Sequence, residues 1–321
     1  MASSIDLSVI VPVHNEEGNI ALLFGRLKEV ISGLGLRFEV LFVNDGSRDK
    51  SMACIRDLAT QHPEVRYIDL SRNFGHQIAV TAGIDHCLGA AAVIIDADLQ
   101  DPPELIAELW AKYKEGYPVV YAKRRSRKGE SILKKWTAKM FYRTMRRITN
   151  IDIPLDTGDY RIIDRKVLDV LKRMPEQNKF LRGQISWVGF RQTFVEYDRL
   201  ERNAGSTSYT YKKMIRFAID GITAFSELPL RFISILGFVV SGLAFLLIIY
   251  SLASYLFLDH YVRGWASQMI SILFIGGIQL IGIGIIGEYV ARIGANVRQR
   301  PLYVVAEDNL ESRLDAPETQ A

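Results

Sequence analysis

Ala91-Ala92-Val93-Ile94-Ile95-Asp96-Ala97-Asp98 is an apolar run that stops abruptly in two carboxylates one residue apart. The apolar part reads as a strand buried on both faces. Alternation along an extended chain points Asp96 and Asp98 to the same side, toward one ligand at the strand's carboxyl end. Two carboxylates so close repel unless a cation lies beside them. Hard divalent ions such as Mg2+ or Mn2+ take oxygen ligands and commonly bridge a carboxylate to a substrate's phosphates. An isolated Asp-x-Asp is more often a solvated strand end. Its neighbours tip this one toward a metal-held diphosphate.

Working outward, residues 1 to about 125 alternate strands and helices. Strands are expected at Leu7–Val13, Phe38–Val43, Val65–Leu70, Ala91 onward and Val119–Ala122, with helices near 19–33, 50–61 and 77–88. Continuous apolar strands separated by helices predict a mostly parallel sheet covered on both faces, an α/β fold that binds ligands beyond the strands' carboxyl ends. Four polar turns fall there: His14-Asn15-Glu16-Glu17, Asn44-Asp45-Gly46-Ser47, Ser71-Arg72-Asn73-Phe74-Gly75 and Asp96 to Asp101. Neither a Walker pattern nor a Gly-x-Gly-x-x-Gly turn is present, which excludes P-loop and Rossmann modes of holding a nucleotide.

Val11-Pro12-Val13-His14-Asn15-Glu16-Glu17, Val43-Asn44-Asp45-Gly46-Ser47, Asp96 through Glu104 and Thr157-Gly158-Asp159-Tyr160-Arg161 resemble glycosyltransferase family 2 with the GT-A fold. With the apolar C-terminal segments, the resemblance extends to polyprenyl-phosphate glycosyltransferases of the bactoprenol glucosyltransferase type, related to dolichyl-phosphate mannose synthase. It implies that Pro12, Asn15, Glu16 and Asp45 line a uridine pocket, with Gln100 and Arg125 also on the nucleotide sugar. It implies Asp98 as the main metal ligand, with Asp96 nearer the ribose or the metal's outer shell. Asp159 is the expected catalytic base, Asp156 its competitor, and Arg161 a holder of the acceptor phosphate. Pocket-lining Glu16 and Asp45 have plainer readings, as a helix-start charge and a strand-to-helix turn. A phosphate monoester has a second pKa near 6, so the acceptor is already a competent nucleophile at neutral pH; Asp159 then orients more than it deprotonates. Single displacement with inversion is implied.

The middle of the chain is basic. Ile132, Leu133, Trp136, Met140, Phe141, Met145 and Ile148 recur at helical spacing among Lys134, Lys135, Lys139, Arg143, Arg146 and Arg147. That pattern suits a helix at an anionic membrane surface better than nucleic acid, which is not an expected partner. Arg124, Arg125, Arg127 and Lys128 precede it as candidate grips on the diphosphate or lipid phosphate. In Arg202-Asn203-Ala204-Gly205-Ser206-Thr207-Ser208-Tyr209, Ser208 stands where the family often carries lysine, so Arg202 and Lys212 are the candidates for that contact.

Phe232–Leu258 and Gly264–Gly287 contain no Asp, Glu, Lys or Arg. Each exceeds the roughly 20 apolar residues that span a bilayer. Their short connection predicts a transmembrane hairpin, and flanking Lys212, Lys213, Arg216, Arg231, Arg292, Arg298 and Arg300 place both ends in the cytoplasm. The expected organisation is a catalytic domain at 1–210, juxtamembrane helices at 211–231, spans at 232–258 and 264–288, and a cytoplasmic tail at 289–321. The tail from Glu307 is expected to be disordered. Cys54 and Cys87 suit a reducing compartment, the net charge of +4 selects no partner, and Met1 to Asp6 shows no signal-peptide pattern. Glycine-rich spans favour close packing and a homo-oligomer.

The expectation is therefore an inner-membrane, multi-pass enzyme that transfers a hexose from a UDP-sugar to polyprenyl phosphate. Glucose leads; GDP-mannose, aminosugar and aminoarabinose donors fit the same framework. A processive synthase would carry Gln-x-x-Arg-Trp, whereas Gln184-Ile185-Ser186-Trp187 lacks the arginine. An inert membrane scaffold would have no use for Asp96, Asp98 and Asp159.

Overall fold

The computed structural model describes residues 5–125, 157–198, 228–257 and 265–310. It divides into two units, Met1–Thr210 with Arg300–Ala321, and Tyr211–Gln299. Asp156, Arg127, Arg202, Lys212, the basic segment 132–148 and the juxtamembrane residues 211–227 lie outside the described residues.

The first unit begins with β1 (Leu7–Val13), α1 (Ile20–Gly33), β2 (Phe38–Asn44), α2 (Ser51–Gln61), β3 (Val65–Leu70), α3 (His76–His86) and β4 (Ala91–Ile94). It continues with α4 (Leu105–Lys114), β5 (Val119–Arg124), β6 (Thr157–Asp164), α5 (Arg165–Lys172), α6 (Leu181–Val188), β7 (Gln192–Tyr197) and, near the C-terminus, β8 (Val305–Asp308). The described strands form one sheet in the order β7-β5-β6-β4-β1-β2-β3-β8. β1 pairs in parallel with β2 and β4, β2 with β3, and β5 with β7. Only β6 and β8 run against the rest. This is a GT-A-like α/β fold with a mostly parallel sheet.

Alternation explains the layers. Val9, Val11 and Val13 of β1 are buried with Leu23 and Leu27 of α1, Ile55 of α2 and Ile106 of α4. Ile10, pointing the other way, is buried with Val80 and Ile84 of α3, Val167 of α5 and Ile185 of α6. Each fully buried Leu or Ile contributes about 1.5–3 kcal/mol of transfer free energy, so both sheet faces are held. β1 and β4 lie side by side, yet the chain reaches β2 on one flank and β4 on the other. That reversal is a topological switch point, where ligands bind open α/β sheets.

Two expectations change. β4 ends at Ile94, so Asp96 and Asp98 sit in the following turn and strand alternation does not orient them. Of the tail from Glu307, the described residues 307–310 are ordered, and 311–321 lie outside the described residues. β8 pairs with β3, and Leu310 is buried with Leu41, Val43, Ile68 and Leu70. Acidic composition pointed to disorder, but Glu307 is anchored by Arg56 (Nε to Oε1, 3.0 Å) and by the Tyr67 hydroxyl at 2.8 Å.

The second unit has two long helices, α7 (Leu228–Phe257) and α8 (Trp265–Arg298). A Cβ at Gly282 would lie 3.3 Å from Ile233 Cγ2, so the helices approach closely there. Among the described residues, Phe274–Arg298 is the one segment long and apolar enough to cross a membrane, its most apolar 18 residues having a mean hydropathy of 1.6.

Candidate active site

The turns after β1, β2, β3 and β4 meet at one end of the sheet and are cross-braced. Pro12 lies in β1, buried and paired with Val43, beyond the last residue that β1 pairs with β4. Asn15 accepts from the Arg48 amide at 2.8 Å, and its own amide donates to Ser47 Oγ at 3.0 Å. The Glu16 carboxylate accepts from the Asn19 side chain at 2.6 Å, and its amide donates to Ser51 Oγ at 2.9 Å. Asp45 is almost fully buried; its two oxygens accept the Phe74 and Gly75 amides at 2.6 and 3.0 Å. A Cβ on Gly46, whose φ is +60°, would lie 2.4 Å from the Asn73 nitrogen, so only glycine lets the second and third turns touch.

Backbone strain marks the same turns. Among the described residues, Asn15 (φ 57°), Leu99 (φ 58°) and Gln299 (φ 47°) are the non-glycine residues with positive φ. Asn15 and Leu99 lie in the turns after β1 and β4. Such conformations cost on the order of 1–3 kcal/mol and cluster at ligand sites.

Asp96 and Asp98 follow β4, and Asp98 Oδ1 accepts the Gln100 amide at 3.1 Å. Burial raises the Asp96 pKa to about 6; His76 opposes this, while the charges of Asp101, Asp159 and Asp98 add to it. Crowded anions of this kind suit a divalent cation. Among the described residues no group of three or more His, Cys, Asp or Glu side chains is arranged to hold one. Asp98 and Asp96 would supply two protein oxygens, leaving the other positions to phosphate and water, as Mg2+ prefers. The donor set fits on those terms.

Asp159 lies on β6, where alternation sends Tyr160 into the core and Asp159 and Arg161 toward α3 and α6. The Tyr160 hydroxyl donates to the Pro102 carbonyl at 2.9 Å, tying β6 to the turn that carries the two aspartates. The Asp159 carboxylate accepts from Arg182 Nε at 2.8 Å, His76 Nε2 at 3.1 Å and Gln77 Nε2 at 3.1 Å. Desolvation opposes its charge, but Arg182, His76 and Arg161 hold it well below the usual carboxylate range. Desolvation likewise opposes a charged His76, but its bond to Asp159 and the charges of Asp96 and Asp159 push it up to about 9. Arg161 is only 5% exposed, and its guanidinium donates to the Gly158 and Asp159 carbonyls. Arg182 is the more open cation.

A profile for "Glycosyl transferase family 2" matches residues 8–171. The chain belongs to glycosyl transferase family 2. This family 2 glycosyltransferase is 52% identical over 305 residues to the "Uncharacterized glycosyltransferase YkcC" of Bacillus subtilis (strain 168), covering 95% of this chain and 94% of that one. It is 40% identical over 299 residues to the "Prophage bactoprenol glucosyl transferase homolog" of Escherichia coli (strain K12), covering 93% and 98%. The "Bactoprenol glucosyl transferase" of Shigella phage SfII is 40% identical over 303 residues, covering 94% of this chain and 98% of that one.

The structure brings Asp45, Asp96, Asp98, Gln100, Asp159 and Arg161 of the glycosyltransferase to one end of the sheet, as the sequence led us to expect. Arg125 differs. It is exposed beside Asp198 at 3.6 Å, whereas Arg124 turns inward, approaches Gly158 and feels the charges of Asp101 and Asp96. Arg124 was among the candidate grips in the sequence; His76, Gln77 and Arg182, which meet Asp159, were not singled out there. His76 and Gln77 directly follow the polar Ser71–Gly75 turn, a signal that was present. Arg182 gave none, because α6 meets β6 only through the fold.

Proposed function

We propose that this glycosyltransferase moves a hexose, glucose first, from a UDP-sugar to polyprenyl phosphate at the cytoplasmic face of the inner membrane, with inversion and with Mg2+ or Mn2+. The observation that carries this reading is the pairing of two clusters: carboxylates Asp96 and Asp98 for a metal-bound diphosphate, and cations His76 and Arg182 around Asp159 for an acceptor anion. The bactoprenol relatives supply the acceptor class.

An acceptor phosphate oxygen attacks the anomeric carbon while the bond to the UDP oxygen breaks. A bound divalent ion would offset charge on the departing diphosphate. Asp159 is an anion, so a phosphate dianion approaches it only across a cation; Arg182 and protonated His76, both bonded to Asp159, would form that bridge. Tyr121 and Phe194 extend an aromatic shelf beside Arg161, stacked at 5.9 Å with Lys123 4.3 Å from the Phe194 ring, a surface suited to an isoprenoid chain.

The chain's route supports membrane anchoring as a two-helix hairpin. The first unit resumes at Arg300, after both long helices, and its strand β8 joins the sheet. Two crossings return the chain to the side it left. Small residues along these helices suit a homo-oligomer.

The test is UDP release from UDP-glucose by the full-length protein in bilayers, with and without undecaprenyl phosphate and EDTA. Release that needs both lipid phosphate and metal, with glucose recovered in the lipid extract, is expected. Release indifferent to the lipid phosphate would overturn the acceptor. Glucose-free extracts with another labelled sugar incorporated from a donor panel would replace glucose alone.

A further inference from the structure

We infer that Tyr303–Leu310, the segment following α8, is a strap that fixes the donor-side turn Ser71–Gly75, with Tyr303 as its positioning residue. This rests on the proposed function in one respect, that the turn backs the nucleotide pocket.

The strap is docked by specific side chains as well as by strand pairing. Asn309 Oδ1 accepts the Tyr67 amide at 2.8 Å, and Glu307 is held by Arg56 and Tyr67. At the other end, the Val304 carbonyl accepts the Ser71 amide at 2.9 Å, gripping the turn where it leaves β3. The Tyr303 hydroxyl donates to Asp85 Oδ2 at 3.0 Å, and its ring meets His86 edge-on at 6.3 Å. Both partners end α3, the helix into which the Ser71–Gly75 turn leads.

Tyr303, Val305 and Phe74 each pack against the same buried cluster, which includes Leu41, Ile68, Leu70 and Ala79. Phe74 is the residue whose amide, with that of Gly75, binds the Asp45 carboxylate. Tyr303 and Phe74 thus share one apolar cluster, and Phe74 leads on to Asp45, while the tight approach of Asn73 to Gly46 transmits any shift of the turn to the second turn as well. β3 would be an unpaired edge strand without β8, and its last residue opens the turn. An ordered, sequence-specified strap at that place stabilises one shape of the donor side.

The experiment uses full-length enzyme in nanodiscs, comparing wild type, Tyr303→Ala and Tyr303→Phe by steady-state kinetics and amide hydrogen exchange. Tyr303→Ala is expected to raise donor KM about tenfold, equivalent to about 1.4 kcal/mol, with acceptor KM unchanged. Tyr303→Phe keeps the ring in the apolar cluster that Phe74 also packs against and restores donor KM to near wild type. Exchange at Phe74 and Gly75 should quicken about tenfold or more in Tyr303→Ala, through local opening, with α1 unaffected. Unchanged exchange at 71–75 overturns the strap; faster exchange with an unchanged donor KM overturns its role in the donor pocket. If wild type releases UDP from no sugar nucleotide, the functional reading fails on its own and the exchange comparison still decides the strap. Should Tyr303→Ala not fold, Glu307→Gln, which weakens the Arg56 and Tyr67 anchors, takes its place with the same outcomes.

Discussion

Asp159 is surrounded by more positive charge than a general base tolerates. A carboxylate held below its usual range by Arg182, His76 and Arg161 is a weak proton acceptor, and the proposed acceptor phosphate would already be ionised at neutral pH. On the proposed reading, Asp159 fixes the two more open cations. Asp159→Asn should therefore lower kcat about 100-fold or more, the scale of a lost electrostatic group, while UDP and metal binding by calorimetry stay near wild type. Arg182→Ala should raise acceptor KM about tenfold, the value of a charged hydrogen bond. Arg161→Ala should instead reduce the yield of folded protein, because its guanidinium is buried against backbone carbonyls. An Asp159→Asn enzyme at full speed would sink the assignment, and so would an acceptor KM that follows Arg161 and ignores Arg182. The two-residue motif Asp159–Arg161 was legible in the sequence. Its partners were not, since they come from α3 and α6, more than 20 residues away along the chain in either direction.

Most elements up to β5 follow from apolar strands set between amphipathic helices, and the structure agrees within a residue or two at nearly every boundary. The exceptions have physical causes. β4 stops early because the chain must turn to present two carboxylates, with Leu99 forced to positive φ. β6 and β8 run against the sheet, and an antiparallel strand announces itself only through its partners. β6 appeared in sequence as a motif, β8 as an acidic tail. The way α3 packs was equally hidden. A Cβ on Gly83 would fall 2.2 Å from Ile10 Cγ2, so α3 lies directly on β1. Gly83→Ala adds one methyl to a filled interface, which typically costs about 1–3 kcal/mol. A lower thermal midpoint is expected, together with a larger fall in kcat than in donor affinity, because α3 carries His76 and Gln77. A midpoint unchanged or raised would show that α3 can move away from β1 freely.

The whole chain poses a question of parity. Its catalytic sheet is discontinuous: seven described strands precede the long helices and β8 follows them. A single crossing by α8 would leave Arg300 and β8 on the far side of the bilayer from β3, and the observed pairing of Asp69 with Glu307 would be impossible. If Phe274–Arg298 crosses, α7 must cross too, and its 30 residues, about 45 Å at 1.5 Å each, are ample for a core near 30 Å thick. Two crossings would put the basic residues that flank the pair in sequence on one side of the membrane, in keeping with the positive-inside tendency. Cysteine labelling tests this in whole cells on a Cys54→Ser background, with Cys87 left in place because it is buried. Tyr261→Cys, in the connection between the helices, should react with a membrane-impermeant maleimide added outside. Arg300→Cys should react only after permeabilisation. Labelling of position 300 from outside would break the parity argument, because β8 could not then complete the sheet; protection of position 261 in intact cells would mean that neither helix crosses and that the lipid acceptor is met at the surface alone.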